Sequence, residues 1–307
     1  MNIQNTLIRS LASQGYQARL VPVGRLRDLG QTIAKQYRQG LFDQAFYDER
    51  LSGFDFELPR ELPEAQSLII VAYADPPVRF SFYRDGKTFQ LVVPPTYLHW
   101  ERKDQQAQQA LLALLGQAGY RVAPAAAPKK LLAACSGLAA YGKNNLTYVQ
   151  GLGSFHRLAA FVSDLPCEQD PWGEPQVLER CANCQACRRA CPTAAIAEGR
   201  FLLHAERCLT FLNEKPGTVA FPGWLADGSH NCLVGCMRCQ SICPENRDVR
   251  DWIEEGADFS EAETELLLAG VPLTELPAGL QEKLARTDLT DLFDYLPRNL
   301  EALLANQ

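Results

Sequence analysis

The sequence predicts an α+β chain in three parts: an α/β N-terminal domain over residues 1–165, a cysteine-rich module over 166–247 and a helical tail over 248–307. Three observations lead there. Helical spacing alternates with short apolar runs through the first part. Nine of the eleven cysteines fall between Cys181 and Cys243. The last part couples leucines at helical spacing with 4 Lys/Arg against 14 Asp/Glu. A chain of 307 residues, 47% of them hydrophobic, can bury one large core or two smaller ones. Such a composition excludes a disordered, collagenous or coiled-coil protein. No run reaches the roughly 18 apolar residues of a membrane helix, and residues 1–14 lack the apolar centre of a signal peptide. A cytoplasmic protein without a membrane partner is expected.

The elements follow in order. Residues 1–60 read as mostly helical, with Leu7, Leu11, Ile33 and Tyr37 at helical spacing and Gly15, Gly30 and Gly40 as punctuation. Residues 67–73 (SLIIVAY) form a nearly unbroken apolar run, which predicts a buried strand. Residues 79–93 predict a hairpin turning at Asp85-Gly86, with aromatics on both arms. Residues 100–118 predict a helix with Ala107, Ala110, Leu111, Leu114 and Leu115 on its apolar face. A further helix starts near Lys130 and stops at Gly137. A glycine-rich turn from Gly151 leads into a strand over 158–162. Residues 166–175 read as a proline- and acid-rich linker. In the tail, Leu266, Leu267, Ala269 and Leu300, Leu303, Leu304 keep helical spacing.

The chemistry sits in the cysteines. Cys181-x2-Cys184-x2-Cys187-x3-Cys191-Pro192 is the bacterial ferredoxin run for a 4Fe-4S cluster. Three thiolates in one tight loop reach three corners of a cubane, while the fourth cysteine points toward a second cluster. Cys232-x3-Cys236-x2-Cys239-x3-Cys243-Pro244 repeats the run with one irregularity. Crossed ligation puts Cys181, Cys184, Cys187 and Cys243 on cluster 1, and Cys191, Cys236 and Cys239 on cluster 2. Cys208 and Cys232 both qualify as the last ligand of cluster 2. Zinc would prefer two Cys-x2-Cys pairs closing one tetrahedron; here each half supplies three close cysteines plus Cys-Pro, which suits cubanes better. A ferredoxin-like module with two 4Fe-4S clusters, passing one electron at a time, is therefore expected.

Three further segments accompany the cysteines: residues 62–72 (LPEAQSLIIVA), 136–144 (SGLAAYGKN) and 153–165, from Gly153-Ser154 to Leu165. Together with the cysteine runs they resemble the epoxyqueuosine reductase-like double-cluster family, which is related to corrinoid reductive dehalogenases. Residues 296–300 (LPRNL) look like the ending of its shorter branch, without the helical-repeat extension. The resemblance implies a corrinoid-binding N-terminal domain, cobalamin as a cofactor beside the clusters, and Cys208 as the eighth ligand, leaving Cys232 over. It also implies reduction of cobalt by the inner cluster and a low-potential donor of ferredoxin or flavodoxin type. Lys143, Asn144 and Ser154 fall in its cofactor-facing segments.

The chain departs from that pattern at one position. The family's proton-donating aspartate, three residues before a proline, is replaced by Ala125 ahead of Pro128. Tyr141 and Tyr97 become the candidate acids, since a phenol can donate a proton. His99 and His156 read as structural, and Cys135 and Cys167 as small buried hydrophobes. Residues 1–165 carry 18 Lys/Arg against 13 Asp/Glu, while the acidic tail would repel phosphate. The expectation is a reductase of a small organic molecule, with tRNA an unlikely partner. Two alternatives are an electron-transfer protein without a catalytic site, and a tRNA-queuosine-type reductase using another proton donor.

Overall fold

A computed structural model describes residues 3–305; residues 1, 2, 306 and 307, the tips of the helical start and of the tail, lie outside it. The described strands, in chain order, are β1 (Tyr16–Pro22), β2 (Ser67–Ala74), β3 (Val78–Arg84), β4 (Lys87–Val93), β5 (Val122–Pro124), β6 (Ala140–Tyr141), β7 (Thr147–Tyr148), β8 (His156–Ser163) and β9 (Glu254–Phe259). Helices and strands occur throughout the chain, and the larger sheet is antiparallel, as in the α+β class. The chain divides into two compact units. One holds residues up to Ala74, Trp100–Gln185 and Arg200–Leu202. The other holds Asp75–His99, Ala186–Gly199 and Leu203 onward.

The first unit is built on an antiparallel sheet of order β1-β2-β8-β5. The unbroken apolar run of β2 has a simple cause: both sheet faces are covered. Leu68, Ile70 and Ala72 face one core with Leu158, Ala160 and Val162 of β8. Ile69, Val71 and Tyr73 face the other with Ala159 and Phe161. Side chains alternate across a strand, so a strand buried twice has no polar face. Helices Ile3–Ser13 and Trp100–Leu115 close one face through Leu7, Leu11, Ala107, Leu111 and Leu115. Helices Arg25–Arg38 and Lys129–Cys135 close the other through Leu26, Leu29, Leu132 and Ala133. Gly137 ends the latter helix at φ 73°, a conformation glycine adopts without strain.

The reading of residues 1–60 needs correction, because β1 lies between its helices. Its run YQARLVP alternates only loosely and was masked by the flanking helical spacing. The acidic stretch 166–175 does lack regular structure, but it is fastened to its unit. Arg25 pairs with Asp170, its guanidinium lies over the Trp172 ring, and Gly173 N–H donates to Cys135 O at 2.9 Å.

The second unit is built on a three-stranded sheet, β4-β3-β9. The hairpin turns at Asp85 (φ 50°) and Gly86 (φ 71°), the paired left-handed conformation that matches strand twist. β9 lies parallel to β3, and the Phe82 and Phe259 rings stack at 4.7 Å. Two sequence boundaries differ here. The hairpin packs with the later chain rather than with residues 1–165, and the tail begins with a strand. Helices Glu261–Leu268, Ala278–Arg286 and Leu296–Leu304 bury Leu267, Leu280, Leu284, Leu300 and Leu303 against Phe80, Phe82 and Leu91. The first of them starts at a capping box, with Ser260 and Glu263 exchanging hydrogen bonds. No described helix is long and apolar enough to cross a membrane.

Candidate functional site

Cys191, Cys208, Cys236 and Cys239 all belong to the second unit. Helix Ala186–Ala190 packs against helix Arg238–Ser241. That contact draws Cys191, just beyond the first helix, toward Cys239 inside the second. Burial pushes the Cys208 thiol up, and Cys236 and Cys191 add to the shift, so it lies within electrostatic reach of both. Burial also pushes the Cys236 thiol up, opposed by hydrogen bonds from the Asn231 amide and the Arg238 N–H. Cys191 Sγ is 3.6 Å from Thr193 Oγ1. Cys191 and Cys236 have hydroxyl and amide donors beside their sulfurs, which suits ligation of a cubane once each thiol has given up its proton.

Cys232 is 1% exposed and donates its thiol hydrogen to Asn231 Oδ1 across 3.1 Å. Burial, then the neighbouring Cys236, pushes this thiol far up. The tail fastens the chain ahead of this run and Leu233 within it. Asn299 Nδ2 donates to Asn213 O at 3.0 Å and to Leu233 O at 2.9 Å. Arg298 donates to the carbonyls of Pro216, Val219, Leu212 and Asn213 and lies over the Phe221 ring. The segment 296–300 is therefore a clasp, a role that its sequence alone did not disclose.

In the first unit, Cys181 and Cys184 flank a turn that is gripped by Lys143. Its ammonium donates to Ala182 O at 3.2 Å and Cys184 O at 3.3 Å. Asn144 is 3% exposed; its Nδ2 donates to the Tyr148 hydroxyl at 2.9 Å and its Oδ1 accepts from Leu146 N–H. Ser154 is buried. The three side chains expected to touch a corrinoid are thus taken up by the protein, and they do not fit that group as free contacts. Gly142 fits the turn for a steric reason: a Cβ there would come within 2.5 Å of Asn144 Oδ1 and 2.7 Å of the Tyr148 ring.

The two candidate acids lie in different units. Tyr141 is buried with its ring edge-on to Phe201 at 5.1 Å, and burial, then Cys135, pushes its phenol far up. Tyr97 donates its hydroxyl proton to Glu214 and packs against Gly235. Burial, then Glu214, pushes its phenol well above the usual range. A phenol held that way gives up its proton reluctantly at neutral pH. Ala125 donates its N–H to Ala160 O and carries no acid. His156 is buried between Thr147 Oγ1 (3.1 Å) and Gly153 O (3.0 Å), and burial lowers its pKa to about 4, against the Gly153 bond. His99 Nδ1 pairs with Asp288 at 2.8 Å.

One cluster went unread in the sequence. Asp104 takes two hydrogen bonds from Arg157, both 2.8 Å, and one from Tyr73 at 2.6 Å, with Lys129 Nζ 3.5 Å away. Burial raises the Asp104 carboxyl, but the Arg157 and Tyr73 bonds outweigh it and hold the group below its usual range. Burial pulls the Lys129 ammonium below the usual lysine range, against Asp104. Its only sequence signal was Lys129-Lys130 directly after the Ala125–Pro128 loop, which reads as a solvated face.

The comparisons with known proteins agree with this site. Residues 180–246 match the 4Fe-4S double cluster binding domain. The chain is 28% identical over 243 residues to the epoxyqueuosine reductase of Francisella cf. novicida, covering 72% of this chain and 63% of that one. It is 38% identical over 153 residues to the Escherichia coli protein of the same name, covering 50% and 37%. The match thus spans less than two thirds of these relatives' length. A crystal structure of epoxyqueuosine reductase with an epoxyqueuosine-modified tRNA-Tyr stem loop has the same fold, with a TM-score of 0.68 at 22% identity over 99% of this chain and 82% of that one. The expectations of a small-molecule substrate and of tRNA as an unlikely partner are overturned by the relatives named epoxyqueuosine reductase, one solved with a tRNA stem loop. The acidic tail, expected to repel phosphate, is packed on its unit, and some of its carboxylates are paired. Its leucines cover the second sheet, and Glu263 and Glu265 pair with Lys283 and Arg84.

Proposed function

We propose that this member of the epoxyqueuosine reductase-like double-cluster family is an iron–sulfur reductase acting on an epoxide-bearing nucleoside of a tRNA. The curated likeness carries the reading: both relatives described above bear the name epoxyqueuosine reductase. Removing an epoxide oxygen as water takes two electrons and two protons. Two 4Fe-4S clusters, when bound, supply electrons one at a time. Cluster 1 is assigned to Cys181, Cys184, Cys187 and Cys243 on sequence spacing. Cluster 2 is assigned to Cys191, Cys208, Cys236 and Cys239 on the spacing and the family resemblance, and the engagement of the Cys232 thiol with Asn231 Oδ1 supports Cys208 over Cys232.

With alanine at position 125, one of the two protons comes from another residue and the second from solvent. We assign that role to Lys129, which follows the same loop and whose ammonium is loosened by burial beside Asp104. Lys129→Met is expected to lower turnover by about 100-fold or more with iron content unchanged.

The test is anaerobic incubation of the cluster-loaded chain with epoxyqueuosine-containing tRNA and a chemical reductant, with and without added cob(II)alamin. Digestion and chromatography then report the nucleosides. Conversion to queuosine in either arm supports the reading. Unchanged epoxyqueuosine in both arms, with the clusters loaded, overturns it and leaves an electron-transfer protein.

A further inference from the structure

The second cysteine run holds one cysteine more than its cubane needs, and that cysteine has a defined partner. Asn231 uses all four hydrogen-bonding positions of its amide. Oδ1 accepts from Met237 N–H at 2.9 Å and from the Cys232 thiol, with Sγ at 3.1 Å. Nδ2 donates to Ser229 O at 3.4 Å and to Cys236 Sγ at 3.2 Å. Turning the amide over would set Nδ2 against the Met237 N–H and Oδ1 against the Ser229 carbonyl. Donor would face donor and acceptor would face acceptor, so the network itself fixes which end points at sulfur.

We infer that, given the cluster 2 assignment above, Asn231 sets the reduction potential of that cluster and Cys232 is a positioning residue that orients it, not a ligand. One-electron reduction adds negative charge to a cubane and its thiolates. An N–H aimed at a ligand sulfur stabilises the more negative form more strongly, so it raises the potential. The bond is part-buried and lies beside Cys232, itself only 1% exposed, so such a dipole is screened less than at an open surface. The irregular spacing of the second run follows naturally. The position that a regular run would give to a ligand is moved back one residue and used to hold the amide instead.

The test uses the anaerobically reconstituted full chain and three variants, N231A, C232A and C232S. Iron and sulfide are counted, and cluster potentials are read by redox-poised electron paramagnetic resonance. All three variants are expected to keep the iron content of the parent. In N231A one cluster is expected to become about tenfold harder to reduce, a negative shift of about 59 mV for one electron, with the other unmoved. C232A is expected to shift the same cluster the same way but less, and C232S, whose hydroxyl still donates, to match the parent. Loss of a cluster in C232A overturns the inference, because Cys232 is then a ligand. Unchanged potentials in iron-replete N231A overturn it as well. Should N231A fail to hold its clusters, a difference between C232A and C232S supports the inference and their identity overturns it. A parent chain with only about four iron instead removes the two-cluster reading itself, a separate failure.

Discussion

The two cysteine loops share a spacing rule but not a setting. The first, around Cys181 and Cys184, is gripped from outside by a charged side chain, Lys143, bonded to the carbonyls of Ala182 and Cys184. The second, around Cys236 and Cys239, is held from inside by neutral amides. Asn231 reaches Cys236 Sγ itself, and Asn299 secures the flanking chain at Leu233. An ammonium on carbonyls orders a loop and contributes a charge that salt screens. A part-buried amide on sulfur acts on the ligand directly and is screened less. Equal spacing therefore does not imply equal clusters, and each setting can be attacked separately.

The largest effect is expected from removing ligands. Cys184→Ala and Cys239→Ala should each lower the iron content from about eight to about four per chain, by colorimetric iron assay. Retention of all iron in either variant breaks the assignment of that loop. Next, Leu300→Ala opens the packed face beneath the clasp and should cost about 2–5 kcal/mol in denaturant unfolding. It should release the iron held by the second loop before that of the first. Release in the opposite order contradicts the role given to the clasp.

Acid tests the frame of the first loop. The neutral form of His156 is favoured in the fold, with its pKa lowered from 6.5 to about 4. The unfolded chain binds that proton first as pH falls, so stability is full above about pH 6.5 and declines down to about pH 4. The loss should approach about 3 kcal/mol, and His156→Gln should flatten the difference between pH 6.5 and pH 4 in unfolding curves. A profile shared by parent and variant would assign the loss elsewhere. The smallest effect is expected at the grip itself. Lys143→Met should cost about 1 kcal/mol and leave the second cluster's potential alone.

Much of this was legible in the sequence, for identifiable reasons. Strand β2 announced itself because both its faces are buried. The Asp85-Gly86 turn did so because two successive left-handed residues admit few alternatives. The cysteine spacing disclosed its chemistry because ligand geometry is local. What stayed hidden depends on distant partners. β9 pairs with β3 across more than 160 residues, and its acidic run EEGADF carries no strand pattern. Lys143 and Asn144 looked like cofactor contacts because nothing local reveals the carbonyls and phenol that occupy them. Asn231 drew no notice, since one amide beside a cysteine acquires meaning only once Met237 and Cys236 fold around it.

The difference between the loops is tested most directly by a redox titration of the loaded parent chain beside Cys184→Ala and Cys239→Ala, followed by electron paramagnetic resonance. Two one-electron steps are predicted for the parent, one of which persists in each variant, at a different potential in each. A single common potential in both variants, or one step in the parent, would contradict the claim that the chain builds two clusters in two unlike settings.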